Sequence, residues 1–403
     1  MMRRRTMLIS TAALLLAAGP IVAAEKNYAP GVTDTEIKIG NTMPYSGGAS
    51  AYAAIGKADA AYFQMINDEG GINGRKINFI SLDDGYAPPK TVEQTRRLVE
   101  EDQVAFIFNG LGTPCVSAVQ KYLNQKKVPQ LFVATGASKW GDPENFHWTM
   151  GWQPDYQTEA KIFGKYILQN KPDAKIAILY QNDDFGKDYV IGMKAALGAK
   201  YDKMVVKDAS YEVTDPTVDS QIVSLQASGA DTLLTAATPK FAAQAIRKVY
   251  DIGWKPLHLL TDVSNSVGSV MNPAGPEKGV GIISAAYDKD PKDPTWADDP
   301  GMAEWRKFMA KYLPDADLTD ANYVYGYSVS RTLVQVLKQA GDDLTRENIM
   351  KQAANLKDFA YPTALPGIKL NTSPTNYYPI TELKLQRWDG KNWVLFGDVI
   401  SGS

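Results

Sequence analysis

The sequence predicts an α/β protein of parallel sheets with helical crossovers, divided into two lobes. Three observations carry this. Strand-like and helix-like segments alternate for most of the length, the mark of parallel strands joined through helices. The alternation begins near Glu36 and starts afresh at Lys175–Tyr180 (KIAILY). At 403 residues the chain is too long for one ordinary core, even with its first two dozen residues set aside.

The N-terminus reads as an export leader over residues 1–24. Arg3-Arg4-Arg5 is a basic start, Met7–Ala18 a short apolar core, and Val22-Ala23-Ala24 a small-residue cleavage site. The apolar run is too short to span a bilayer, so the reading predicts a cleaved signal and a periplasmic protein.

Glu36–Ile39 alternates as a strand and opens onto the small residues Ser46, Gly47, Gly48, Ala49 and Ser50. Backbone N–H groups exposed at such a turn can hold a carboxylate or another polar head. A helix-period face follows at Ala58, Tyr62, Met65 and Ile66, closed by Gly70-Gly71. Next come a strand at 76–82, a helix at 89–101, a strand at 104–109, a helix at 117–125 and a strand at 130–134. The second series gives strands at 175–180, 204–207, 231–235 and 258–260, with helices at 186–197, 217–228 and 239–252. The tail differs: 380–387 and 393–396 alternate around Asp389-Gly390, a hairpin signal. Asp288–Pro300, rich in Pro and Asp, reads as the flexible segment.

Composition excludes several functions. The net charge of −2 leaves no basic stripe for nucleic acid. Cys115 is the only cysteine, so no intrachain disulfide forms, and it reads as a buried small apolar residue. The two histidines, His147 and His258, each stand among apolar neighbours. No HExxH, GxSxG, P-loop or CxxC occurs, so neither an enzyme, a metal nor a cofactor is expected.

Five collinear stretches carry a resemblance: Ser46-Gly47-Gly48-Ala49 with Tyr52; Ile66-Asn67-Asp68-Glu69-Gly70-Gly71-Ile72-Asn73-Gly74-Arg75-Lys76; Asp83-Asp84; Lys127-Val128-Pro129 before Gly136-Ala137-Ser138; and Asp183-Asp184-Phe185-Gly186-Lys187. Together the chain resembles the substrate-binding proteins of ABC importers, of the branched-chain amino-acid type. The resemblance implies a type I periplasmic binding protein: two Rossmann-like lobes with a central cleft and three crossover strands, near Met150–Trp152, Ser284–Ala286 and Tyr361–Pro366. It divides the chain into residues 25–151 plus 286–363 and residues 152–285 plus 364–403. It implies a monomer that closes on a small ligand and delivers it to a membrane permease.

The same resemblance assigns ligand positions. Tyr52, Gly112, Thr113, Gly136 and Ser138 fall on the first lobe, with Gly112-Thr113 as the carboxylate loop. Phe185, Thr238 and Asp262 fall on the second, Asp262 where an acid pairs with an ammonium. Tyr327 is placed at the cleft from the helix Tyr323–Gln339. Phe185 and Thr238 stand where leucine-type binders carry tyrosines. Asp262 favours a zwitterionic amino acid with an apolar or aromatic side chain, since an anion beside it would be repelled. Aromatic or short carboxylic acids, amides, or a sensing role on the same scaffold remain open alternatives.

Overall fold

The computed structural model describes Lys26 and residues 28–401, so the leader assigned to 1–24 lies outside the described residues. The chain first lays down β1 (Glu36–Met43), α1 (Ala53–Asp68), β2 (Lys76–Asp83), α2 (Pro88–Arg96), β3 (Phe106–Phe108), α3 (Thr113–Gln125), β4 (Gln130–Val133) and β5 (Thr149–Gly151). These strands form a parallel sheet in the order β2-β1-β3-β4-β5. Along β1, Ile37 and Ile39 are fully buried while Glu36 and Lys38 are not, the alternation read from the sequence. The central strand β3 (FIF) is buried throughout, as a strand covered on both faces must be.

The chain then crosses to a second lobe: α4 (Tyr156–Asn170), β6 (Ile176–Gln181), α5 (Asp184–Leu197), β7 (Val205–Tyr211), α6 (Asp219–Ala227), β8 (Thr232–Ala236), α7 (Pro239–Asp251), β9 (Leu257–Leu260) and β10 (Ile283–Ala286). It returns with α8 (Pro300–Tyr312), α9 (Asn322–Ala340) and α10 (Arg346–Ala353), where α9 packs along α1. It crosses once more to add β11 (Glu382–Trp388) and β12 (Trp393–Ser401). The second sheet runs β12-β11-β10-β9-β8-β6-β7, parallel except at the tail hairpin. Two crossing segments lie side by side: Lys289 N donates to Thr363 O (2.8 Å) and Leu365 N to Tyr287 O (2.8 Å).

The segment Asp288–Pro300 differs from its expected flexibility. The Lys289 ammonium is buried against Asp299 (2.8 Å) and the Pro362 carbonyl (2.8 Å). Asp293 caps the turn at Thr295 N (2.8 Å) and Asp299 caps α8 at Met302 N (2.8 Å). Here the Asp residues act as caps and Pro sits at helix starts, which fixes the backbone rather than freeing it.

Candidate ligand-binding cleft

The lobes are shut on each other. Tyr52 Oη, at the start of α1, donates to Val263 O across the cleft (3.1 Å). Gln181 Nε2, at the end of β6, donates to Tyr86 Oη (3.3 Å). Ahead of α9, Asp320 accepts from Ser266 Oγ (2.8 Å), and Gly268 N donates to Thr319 O (2.9 Å). Between the sheets these contacts border a cavity of about 110 Å³ that stays partly open to solvent. An engineered core cavity of about 150 Å³ takes benzene, so this space suits a small molecule and not a long chain.

The first-lobe wall presents backbone. Gly112 caps α3 at φ +96°, and a Cβ there would lie 2.4 Å from Tyr86 Cε2, so glycine is required on both counts. The Thr113 hydroxyl is engaged by Thr135 Oγ1 (2.5 Å), while the amide N–H groups of Thr113 and Cys115 have no acceptor among the described residues. That leaves free donors at a helix N-terminus whose first residue, Thr113, lines the cavity, a setting that favours an anion.

The second-lobe wall presents acid. Asp262 follows β9, and its backbone N donates to Glu159 Oε1 (2.9 Å). Glu159 is fully enclosed on α4 and also accepts from Tyr189 Oη. Burial pushes Asp262 up to about 6. Burial, with the Asp262 charge beside it, pushes Glu159 well above the carboxylate range. Beneath one carboxyl facing the cavity thus lies a second that burial and the neighbouring charge bias towards its neutral form. Phe185 (buried) packs on Tyr156 (4.9 Å between ring centroids) and Tyr189 (5.7 Å). Thr238 is fixed by its N–H to Tyr211 Oη (2.9 Å).

Of the sequence-assigned residues, Tyr52, Gly112, Thr113, Phe185, Thr238 and Asp262 line the cavity together. Three do not. Ser138 donates its hydroxyl to Asp155 and its N–H to Asp188 (2.8 Å), and its carbonyl accepts from Tyr378 Oη, so the protein already uses its polar groups. Gly136 lies behind the wall: a Cβ there would meet Pro154 O at 2.3 Å and Tyr156 Cδ1 at 2.9 Å. Its role is to let the Tyr156 ring, which does line the cavity, lie close. Tyr327 is a correction. It is buried against Tyr62 (5.0 Å) and Phe308 (5.0 Å), and its hydroxyl donates to Glu304 (2.8 Å). Two residues along a helix is a turn of about 200°, so Tyr325 faces the cavity instead.

Sequence reasoning missed Tyr86, Tyr156, Tyr287, Asp288 and Tyr325 as cavity-lining residues. Tyr86 had a signal, its place in the loop at the carboxyl end of β2. Tyr287 and Asp288 directly follow β10, which the sequence reading named only as a crossover, so the loop at its carboxyl end was not counted among the strand ends. Cys115 is buried, and burial pushes its thiol up to about 12, so it is a poor nucleophile. His258 is likewise buried, bonded to Thr235 Oγ1 (2.9 Å).

Two lobes closed over a small cavity at the carboxyl ends of their strands, with free amides on one wall and an acid on the other, define a solute-binding protein rather than an enzyme. The sequence profile named "Periplasmic binding protein" matches residues 36–392, and the chain belongs to that family. The family places the chain outside the cytoplasm. It is 25% identical over 323 residues to the Leu/Ile/Val-binding protein homolog 1 of Brucella suis biovar 1 (strain 1330), covering 77% of this chain and 81% of that one. Its fold matches a branched-chain amino acid ABC transporter structure from Thermus thermophilus with bound valine (TM-score 0.82, 16% identity, covering 92% and 97% of the two chains). It also matches a fatty acid ABC transporter substrate-binding protein from Thermomonospora curvata (TM-score 0.75, 23% identity, covering 93% and 95%).

Proposed function

We propose that the chain captures a small zwitterionic amino acid by closing its lobes and delivers it to an ABC permease. The observation that carries this is the opposition of the free amides of α3 to the Asp262 carboxylate across one cavity. The ligand carboxylate goes to the amides and its ammonium to Asp262. The rings of Tyr52, Tyr156 and Phe185 take the hydrocarbon of the side chain. A cavity of about 110 Å³ argues against a fatty acid despite the likeness in fold. A ligand touching both walls has more contacts in the closed state, and that difference is what drives closure.

A thermal-shift screen of amino acids against aromatic and short-chain acids tests the reading. Stabilisation by amino acids is expected; stabilisation by the acids alone overturns it. Small-angle scattering should then show the envelope contracting on saturation with the stabilising compound.

A further inference from the structure

Asp288 is a second acid at the cavity, and the capture scheme above gives it no role. Its Oδ1 is buried, and the group that answers it is a neutral one, the Tyr361 hydroxyl, so no cation is spent on its charge. The neighbouring bases do not answer it. Lys289, the sole Lys or Arg lining the cavity, spends its ammonium on Asp299 and Pro362 O. Asp290 is an acid already engaged by Lys292 N (2.7 Å). Asp288 also stands in its own surroundings. Tyr287, Tyr325 and Tyr361 gather around Trp152 at ring-centroid distances of 5.9, 5.1 and 5.7 Å, and the Asp288 charge acts on all three hydroxyls. Glu159 and Tyr189 lie under Asp262 instead. A carboxyl answered only by a tyrosine hydroxyl, among tyrosine rings, is suited to an alkylammonium, which gains from the charge and from the ring faces together.

We propose that Asp288 is a second cation subsite, and that the captured amino acid carries a short aliphatic side chain ending in an ammonium group. This deepens the amino-acid reading and rests on it. Asp262 holds the α-ammonium, the amides of α3 hold the carboxylate, and Asp288 holds the far end. It also accounts for three acids, Asp262, Asp288 and Asp290, lining one small cavity without a free base: ionising them all in the empty closed state is costly, and a ligand of net positive charge offsets that cost. Burial pushes Asp288 up to about 8, so its carboxyl keeps a proton until such a ligand arrives. The charged and titratable groups facing it are Asp262, Lys289, Asp290 and the hydroxyls of Tyr287, Tyr325 and Tyr361.

The test compares L-ornithine with L-norvaline, which has the same carbon chain without the terminal ammonium, by calorimetry on the native protein and on Asp288→Asn. Ornithine should bind about tenfold or more tighter to the native protein. Asp288→Asn should abolish that advantage, weakening ornithine about tenfold or more beyond any change in norvaline. In buffers of differing ionisation enthalpy, ornithine should release more protons than norvaline from the native protein, a readout that needs no variant. Norvaline binding as tightly as ornithine overturns the subsite and leaves the amino-acid reading standing. So does an advantage that survives in Asp288→Asn, an equal loss for both ligands, or equal proton release. Binding of neither compound overturns both.

Discussion

The two walls of the cleft hold a ligand by different means. The first lobe offers backbone: amides at the start of α3, held by a glycine whose positive φ and closeness to the Tyr86 ring disfavour any side chain. The second lobe and the crossing segments offer side-chain carboxyls, Asp262 and Asp288, backed by the enclosed Glu159. Backbone donors do not titrate and are positioned by the helix itself. Carboxyls titrate and can be exchanged by a single substitution. The backbone wall is therefore suited to the head that all amino acids share, and the acidic wall to what distinguishes one ligand from another.

The largest effect should come from removing the acid. Asp262→Ala should weaken an amino-acid ligand by about 2–5 kcal/mol by calorimetry, mostly the cost of an ammonium left unpaired. Its melting temperature without ligand should hardly move, because no core rests on a group at the cavity; a large drop would assign Asp262 to the fold. Breaking the opposite wall with Gly112→Ala should cost about 1–3 kcal/mol of stability, from positive φ and collision with Tyr86, and should weaken binding as well. Retained stability and affinity would show that the cap tolerates a side chain. Tyr52→Phe removes one hydrogen bond between the walls and should lower affinity by about 0.5–1.5 kcal/mol without altering unliganded stability. Tyr327→Phe should leave affinity unchanged and lose about 1 kcal/mol of stability with its Glu304 bond.

Acidity sharpens the contrast. Asp262 must be ionised to hold an ammonium, so affinity should fall as pH drops through about 6. Stability of the empty protein moves the other way. Asp59, buried between Asn109 and Ser330, and Asp288 are both raised by burial to about 8 from an unfolded value of 3.8. The folded chain keeps their protons where the unfolded chain has released them. Their contribution is full below 3.8 and is lost as pH rises towards 8, by up to about 1.4 kcal/mol per pH unit for each group. Urea denaturation at pH 6 and pH 8 measures this, and equal stabilities would refute it.

Much of the scaffold was legible because periodicity reports burial. KIAILY, VAFIFN and the alternating tail each fold as the strand their pattern names. The site residues came from the family resemblance: it named Tyr52, Gly112, Thr113, Phe185, Thr238 and Asp262, and these do line one cavity, where loops at the carboxyl ends of parallel strands converge. It failed on the helix and at the crossings. On α9 the tyrosines at 323, 325 and 327 are alike in a sequence, and only the contact with α1 decides which one faces the cleft. Asp288 and Tyr287 reach the cavity from the carboxyl end of β10, a short strand without a clear pattern of its own, and pairing with the distant segment 363–365 holds them there. Ser138 fails for another reason: neighbours contributed from residues 155, 188 and 378 had already claimed it.

The order of strands has a consequence for how the chain acquires its fold. In the second sheet, β10 pairs with β11, about a hundred residues further on, and in the first lobe α1 packs along α9, more than 250 residues away. Neither core can form from a contiguous stretch. A growing chain that has not reached Asn322 has one lobe lacking its longest helix and another with the edge of β10 open. Closing loops of that span precedes the contacts that reward it, so folding should be slow and should wait on the last residues. A chain truncated before Glu382 should show little hydrogen-exchange protection in β10; native protection there would mean that the second lobe matures without its tail.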